Sequence, residues 1–531
     1  MNNLSLRAAG VALALIAGPA LAAGGGHDHQ HDQNSASKVQ PPKDQQSVTN
    51  GSVEIDGNRI RYKAIAGIMV LKDRSKHDKP YASMSYVAYI KTGVDHQDHR
   101  PITFFYNGGP GSSTVWLHML AFGPKRVVVG NGTLTPPAPY QLVNNDDSLL
   151  DATDMVFIDA PGTGFGRVIG KKEGGVGKPK DVWGIDPDAK AFTQFIERWL
   201  TEHSRWNSPK FLFGESYGTT RSAVLSYDLE QHNIDLNGVV LLSSILNFDI
   251  SVDGPQGNPG VNISYATGLP SYAATAWYHH KLPNQPKDLV PFLKEVEHYA
   301  MTDYLEALNL GNTISPQQKR KVAEQLHQYT GLPVKYILKD DLRIAGGQFA
   351  HELLGDADRI TGRLDSRYSG PAMDPMGERG RYDPMDSSID APTIAEFNDY
   401  IRNTLHFGKD MHYRPSAYRQ IYSSGGGWSF KHRQPGSGYA SSGTPNVMPD
   451  LTAALKHNPN MNVLLMGGYF DLGTPFFAAE YEMYQLNLPK DLQDNISFHF
   501  FPSGHMVYLN PKAHDGLHDA AAKFIEANYK K

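Results

Sequence analysis

The chain has 531 residues, a formal net charge of −5 and 40% hydrophobic residues, enough for a sizeable core. The mild acidity and the lack of a basic patch argue against a nucleic-acid partner. With no cysteine, disulfides and thiol chemistry are excluded, and burial alone must hold the fold.

Residues 1–22, "MNNLSLRAAGVALALIAGPALA", join Arg7, an apolar run and a small-residue ending. That pattern predicts a secretory signal peptide cut after Ala22, and so an exported, periplasmic or secreted protein. The apolar run is too short to span a membrane, and no later segment could. Residues 23–46 are polar and low in complexity, which predicts a disordered tail. His27, His29 and His31 could bind a metal loosely there, but a flexible tail is the expected reading, and no metal site is expected elsewhere.

From Ser47 the residues alternate apolar and polar across "SVEIDGNRIRYKAIAGIMVLKD" and "YASMSYVAYIKTG", as antiparallel strands do. Then come six short apolar runs: "PITFFY", "TDMVFID", "KFLFG", "GVVLLSS", "MNVLLMG" and "ISFHFF". These predict strands buried on both faces. Helical patterns such as "DAKAFTQFIERWLTEH", "PFFAAEYEMYQL" and "DGLHDAAAKFIEANYK" lie between or after them, which predicts a mostly parallel sheet covered on both sides. The rhythm breaks between 249 and 447. The expected organisation is a core in two parts, 47–248 and 448–531, with 249–447 as an inserted, largely helical cap.

One of the apolar runs ends in "FGESYG", which places Ser216 between Gly214 and Gly218 and ahead of a helical pattern. Strand, tight turn and helix are what a nucleophile elbow requires. The bare pattern is weak in a chain with 51 glycines, and a serine needs partners before it is a nucleophile. In an α/β-hydrolase these follow in the order serine, acid, histidine, each after a strand. Asp471 follows "NVLLMG", and His505 follows "ISFHFF" on a glycine-flanked loop. Order and placement make Ser216, Asp471 and His505 the candidate triad. "FFYNGGPGSS" stands where an oxyanion loop belongs, with glycines that let backbone N–H groups approach a developing charge.

Five motifs taken together, "NGGPGSS" (107–113), "FIDAPGTGFG" (157–166), "GESYG" (214–218), "GGYFDLGTP" (467–475) and "GHM" (504–506), resemble the serine carboxypeptidase family of lysosomal and vacuolar peptidases. The chain looks like an exported, bacterial-like member. The resemblance implies an α/β-hydrolase fold and release of C-terminal amino acids from peptide or protein C-termini without a cofactor. It implies an oxyanion hole from the N–H groups of Gly109 and Tyr217. It also implies a carboxylate-binding set of Asn107, Gly108 and Glu215.

The family pattern is not complete. Ala121 stands where a second glutamate is usual, Ser112 replaces a cysteine, and the "FIDAPGTGFG" loop is one residue short. A cation from the cap could compensate, with Arg359, Arg363 and Arg367 as candidates, although the interleaved Asp365 predicts a solvated charged face. Two other readings use the same residues: an esterase, acyltransferase or lyase acting through the triad, and a noncatalytic binding protein on this fold. Side-chain preference and oligomeric state are not readable from the sequence.

Overall fold

The computed structural model describes residues 40–423 and 425–529. The expected signal peptide and the three tail histidines lie outside the described residues.

Among the described residues thirteen strands form, in chain order, β1 (Gln45–Ile55), β2 (Asn58–Asp73), β3 (Lys79–Lys91), β4 (Ile102–Tyr106), β5 (Lys125–Val127), β6 (Leu142–Asn144), β7 (Asp154–Ile158), β8 (Lys210–Glu215), β9 (Gly238–Leu242), β10 (Arg359–Thr361), β11 (Ser369–Pro371), β12 (Asn462–Gly468) and β13 (Ile496–Phe501). Nine of them make one sheet in the order β1-β2-β3-β7-β4-β8-β9-β12-β13. The β1–β2–β3 meander joins β7 antiparallel, and every pairing from β7 to β13 is parallel. This is the α/β-hydrolase architecture. Strand β1 starts at Gln45, two residues before Ser47, because it pairs with β2 along its whole length from Gln45 to Ile55.

Apolar side chains alternate between the two faces of the parallel strands. Phe104 and Tyr106 enter one core with helix α1 (Ile185–Glu202) and helix α2 (Tyr217–Gln231), whereas Phe105 enters the other, below the helix Pro511–Tyr529. All three are fully buried, and each such side chain contributes on the order of 1.5–3 kcal/mol. β13 departs from the expected double burial. It is an edge strand, and its residues alternate between half-buried and exposed until Phe501.

Residues 243–461 run between two neighbouring strands, β9 and β12. Their first half, with helices Ile263–Tyr278, Leu289–Tyr299 and Pro316–Thr330, has a core of its own. That core takes in Phe470, Leu472 and Phe476 from the segment after β12. The second half is threaded into the rest of the molecule. Ser113 N–H donates to Pro415 O (2.8 Å), Ala417 N–H to Gly111 O (2.8 Å) and Gly164 N–H to Arg414 O (2.8 Å). His432 is clamped between Asp186 on α1 and Asp450, at 2.6 and 2.9 Å.

Candidate active site

The elbow is built at the end of β8. Ser216 takes φ 62° and ψ −130°, a left-handed conformation that costs a non-glycine residue on the order of 1–3 kcal/mol. The surroundings hold it there: Ser216 N–H donates to Leu242 O at the end of β9 (3.0 Å), and Thr219 N–H donates back to Ser216 O (2.8 Å). The glycines have a steric reason. A Cβ on Gly214 would lie 2.3 Å from Gly218 O. One on Gly108 would lie 2.4 Å from Tyr217 N, so the oxyanion loop presses directly on the elbow.

Asp471 and His505 arrive from the loops after β12 and β13. His505 Nδ1 lies 2.7 Å from Asp471 Oδ2, and both residues are buried. Asp471 Oδ1 accepts the N–H groups of Gly473 (2.8 Å) and Thr474 (3.0 Å), and Oδ2 accepts the Thr474 hydroxyl (2.6 Å). Burial alone would raise this carboxyl, but the His505 charge and these donors outweigh it and hold Asp471 below the usual range. Burial likewise opposes the His505 charge, and Asp471 outweighs it, so the imidazole sits above its ordinary value. Ser216 is half-buried, and its hydroxyl makes no hydrogen bond among the described residues.

Glu215 faces the same histidine from the elbow. Its carboxyl is 2% exposed; Oε1 accepts Asn107 Nδ2 (2.7 Å) and Oε2 accepts the Tyr508 hydroxyl (2.8 Å). Asn107 is oriented by Leu117 N–H, which donates to its Oδ1 (3.1 Å). Burial pushes Glu215 up to about 7, against the pull of the His505 charge, Tyr508 and Asn107. No second carboxyl bonds it among the described residues. Ala121 is fully buried, and its carbonyl accepts Asn145 Nδ2 (2.7 Å) and His514 Nε2 (2.9 Å).

Of the three cap arginines only Arg367 is buried; Arg363 is exposed and Arg359 half-buried. Arg367 and Asp365 are 4% and 0% exposed and pair with each other, because buried charges persist only when partnered. Arg359 bonds Ser369 O (2.8 Å). Arg363 pairs with Asp253, and its guanidinium lies beside Gly473, where a Cβ would meet it at 3.1 Å. A cavity of about 910 Å³ opens elsewhere, between Lys72–Lys76, α1 and His432, away from Ser216. His96, Asp98 and His99 bring three ligand atoms within 4.8 Å of one another on an exposed loop before β4. They sit at the opposite end of that strand from Asn107.

Sequence reasoning missed Thr474, Tyr508 and Arg221. The first had a local signal, since Asp-x-x-Thr after a strand suits side-chain-to-backbone turn bonding. Tyr508 and the buried Arg221–Asp188 pair, which anchors Asn107 O through Arg221 Nη1 (2.9 Å), had none.

A serine carboxypeptidase family model matches residues 75–335, a span that holds Asn107, Glu215 and Ser216. Across those residues the chain matches the serine carboxypeptidase family. Among relatives, the pheromone-processing carboxypeptidase KEX1 of Saccharomyces cerevisiae is 27% identical over 172 residues, 32% of this chain and 22% of that one. Serine carboxypeptidase-like 7 of Arabidopsis thaliana is 29% identical over 192 residues, 34% of this chain and 39% of that one. The chain therefore spans well under half the length of these curated relatives. The crystal structure of a Saccharomyces cerevisiae prohormone-processing carboxypeptidase superposes with a TM-score of 0.51 at 15% identity, over 86% of this chain and 90% of that one, and shares the fold. Within this family assignment, Asp471 and His505 lie beyond the matched residues, so their place in the site rests on the geometry above.

Proposed function

We propose that this protein is an exported serine-type carboxypeptidase that removes single amino acids from peptide C-termini. Ser216 Oγ attacks the carbonyl carbon of the last peptide bond and gives its proton to His505 Nε2. The N–H groups of Gly109 and Tyr217 receive the oxyanion, and Asp471 holds the imidazole in the tautomer that can take the proton. Collapse breaks the C–N bond, and His505 returns the proton to the leaving amine. Water then attacks the acyl-enzyme, His505 takes its proton, and Ser216 recovers it as the shortened peptide leaves. No step needs a cofactor. Asn107, Gly108 and Glu215 receive the terminal carboxylate.

The observation that carries this reading is Glu215. A buried carboxyl, fixed by Asn107 one residue before the nucleophile, suits recognition of a chain end by a shared proton and serves no purpose in cleaving an internal bond. Export is supported by the leader-like residues 1–22.

The test is a peptide offered as its free acid and as its C-terminal amide, with products read by mass spectrometry. The acid should shorten by one residue at a time, and the amide should react far more slowly. Ser216→Ala should lose about 10⁵–10⁶ in kcat, because triad members act as a unit. Release of internal fragments or N-terminal residues would overturn the reading, as would a Ser216→Ala protein within tenfold of the parent.

A further inference from the structure

Tyr508 has no part in the triad, yet it joins the two segments that must meet for catalysis. It lies three residues beyond His505, on the buried turn Val507–Leu509. Its hydroxyl reaches across to Glu215 Oε2, next to Ser216. The ring is itself held in place: it is 2% exposed, and its centroid lies 6.4 Å from that of His514, whose Nε2 bonds Ala121 O. Burial keeps the phenol protonated throughout the working range. It is therefore a permanent donor or acceptor that never competes for charge.

The charged and titratable neighbours of Glu215 are few. His505 lowers its affinity for a proton, Asp471 raises it, and Asn107 and Tyr508 are the hydrogen-bonding partners. No cation pairs with it among the described residues. When an acid ligand arrives, two carboxylates side by side cannot both stay ionised without a large cost, so one proton must be shared. With Asn107 Nδ2 fixed on Oε1, the side of Glu215 toward Oε2 is where a hydroxyl rotor can turn over. Tyr508 donates to the carboxylate, or accepts from the carboxylic acid.

We infer that Tyr508 is a positioning residue for acid recognition, holding the Glu215 carboxyl in both of its protonation states and tying the His505 loop to the elbow. This rests on the carboxypeptidase reading above.

The experiment compares wild type and Tyr508→Phe on three substrates: a peptide acid, its C-terminal amide and an activated ester. Losing a hydrogen bond to a charged group should raise KM for the acid about tenfold or more. Ester turnover should change at least fivefold less. Removing the donor that favours the carboxylate should also move the alkaline limb of kcat/KM on the acid to higher pH. A double-mutant cycle with Glu215→Gln makes the test independent of general damage, because the two changes should be far from additive if Tyr508 acts through Glu215. Affinity of Ser216→Ala for the acid and the amide, with and without Tyr508→Phe, gives the same comparison without turnover. Equal losses on acid and ester, additive effects in the cycle, or an unmoved alkaline limb would each overturn the inference. If wild type itself makes no distinction between acid and amide, the carboxypeptidase reading fails and this one fails with it. If wild type distinguishes them and Tyr508→Phe does so equally well, only this inference falls.

Discussion

Asp471 and Glu215 are both buried carboxyls within range of the His505 charge, yet one is held below the usual carboxylate range and the other is pushed up to about 7. The difference is not burial, which opposes ionisation at both. Asp471 bonds the imidazole directly and accepts three further donors, all from Gly473 and Thr474. Glu215 has two neutral partners and meets the histidine only through space. The same residue chemistry therefore yields a permanent anion on one side of the imidazole and a proton-exchanging group on the other. Pairs of titratable groups driven apart in this way mark distinct roles.

The sharpest way to break the contrast is to remove the anion. Asp471→Asn should lower kcat by about 10⁴ on peptide and ester alike, since the amide favours the wrong histidine tautomer. A loss confined to one substrate, read by steady-state kinetics, would contradict that role. A smaller change weakens the anion and keeps it. Thr474→Val deletes the hydroxyl donor to Oδ2, a bond to a charged group worth about 1.5–3 kcal/mol, or about tenfold to a hundredfold in kcat. Activity equal to wild type would show that the Gly473 and Thr474 N–H groups suffice.

The mildest change removes the proton-exchanging group. If protonated Glu215 donates to the substrate carboxylate, kcat/KM on a peptide acid should fall as pH rises past about 7, by about tenfold per pH unit. Glu215→Gln cannot titrate, so that limb should vanish. Glu215 also helps raise the His505 imidazole. Because the base must be neutral to accept a proton, the acid limb on an ester should move to lower pH in the same variant. Profiles of kcat/KM against pH for both substrates check both shifts at once.

The contrast also marks what the sequence could disclose. The buried parallel strands β4, β7, β8, β9 and β12 were legible, because apolar runs of strand length between turn residues leave few alternatives. Ser216, Asp471 and His505 could be named as candidates because chain order and strand-end placement can be read from the sequence. Glu215 was visible as a residue but not as an environment. Its partner Tyr508 stands 293 positions away in the chain, and nothing in "GHMVYLN" marks a tyrosine that will face the elbow. The Arg367–Asp365 pair misled for the same reason: alternating charge looks solvated until the fold buries it. The two-part character of the inserted region was hidden as well, since it depends on which core each helix joins.

That region has a consequence for anyone hoping to miniaturise the protein. Its first half shares a core with Phe470 and Leu472, the residues on either side of Asp471. Its second half supplies Pro415 and Ala417 to the loop that carries Gly109, and sets Trp428 edge-on against Tyr217 at 5.3 Å. The insertion is scaffold for the site. A shortened chain that spliced β9 directly to β12 would keep Ser216, Asp471 and His505 and lose the props beneath two of them, so the insertion is better altered by resurfacing than by cutting it out.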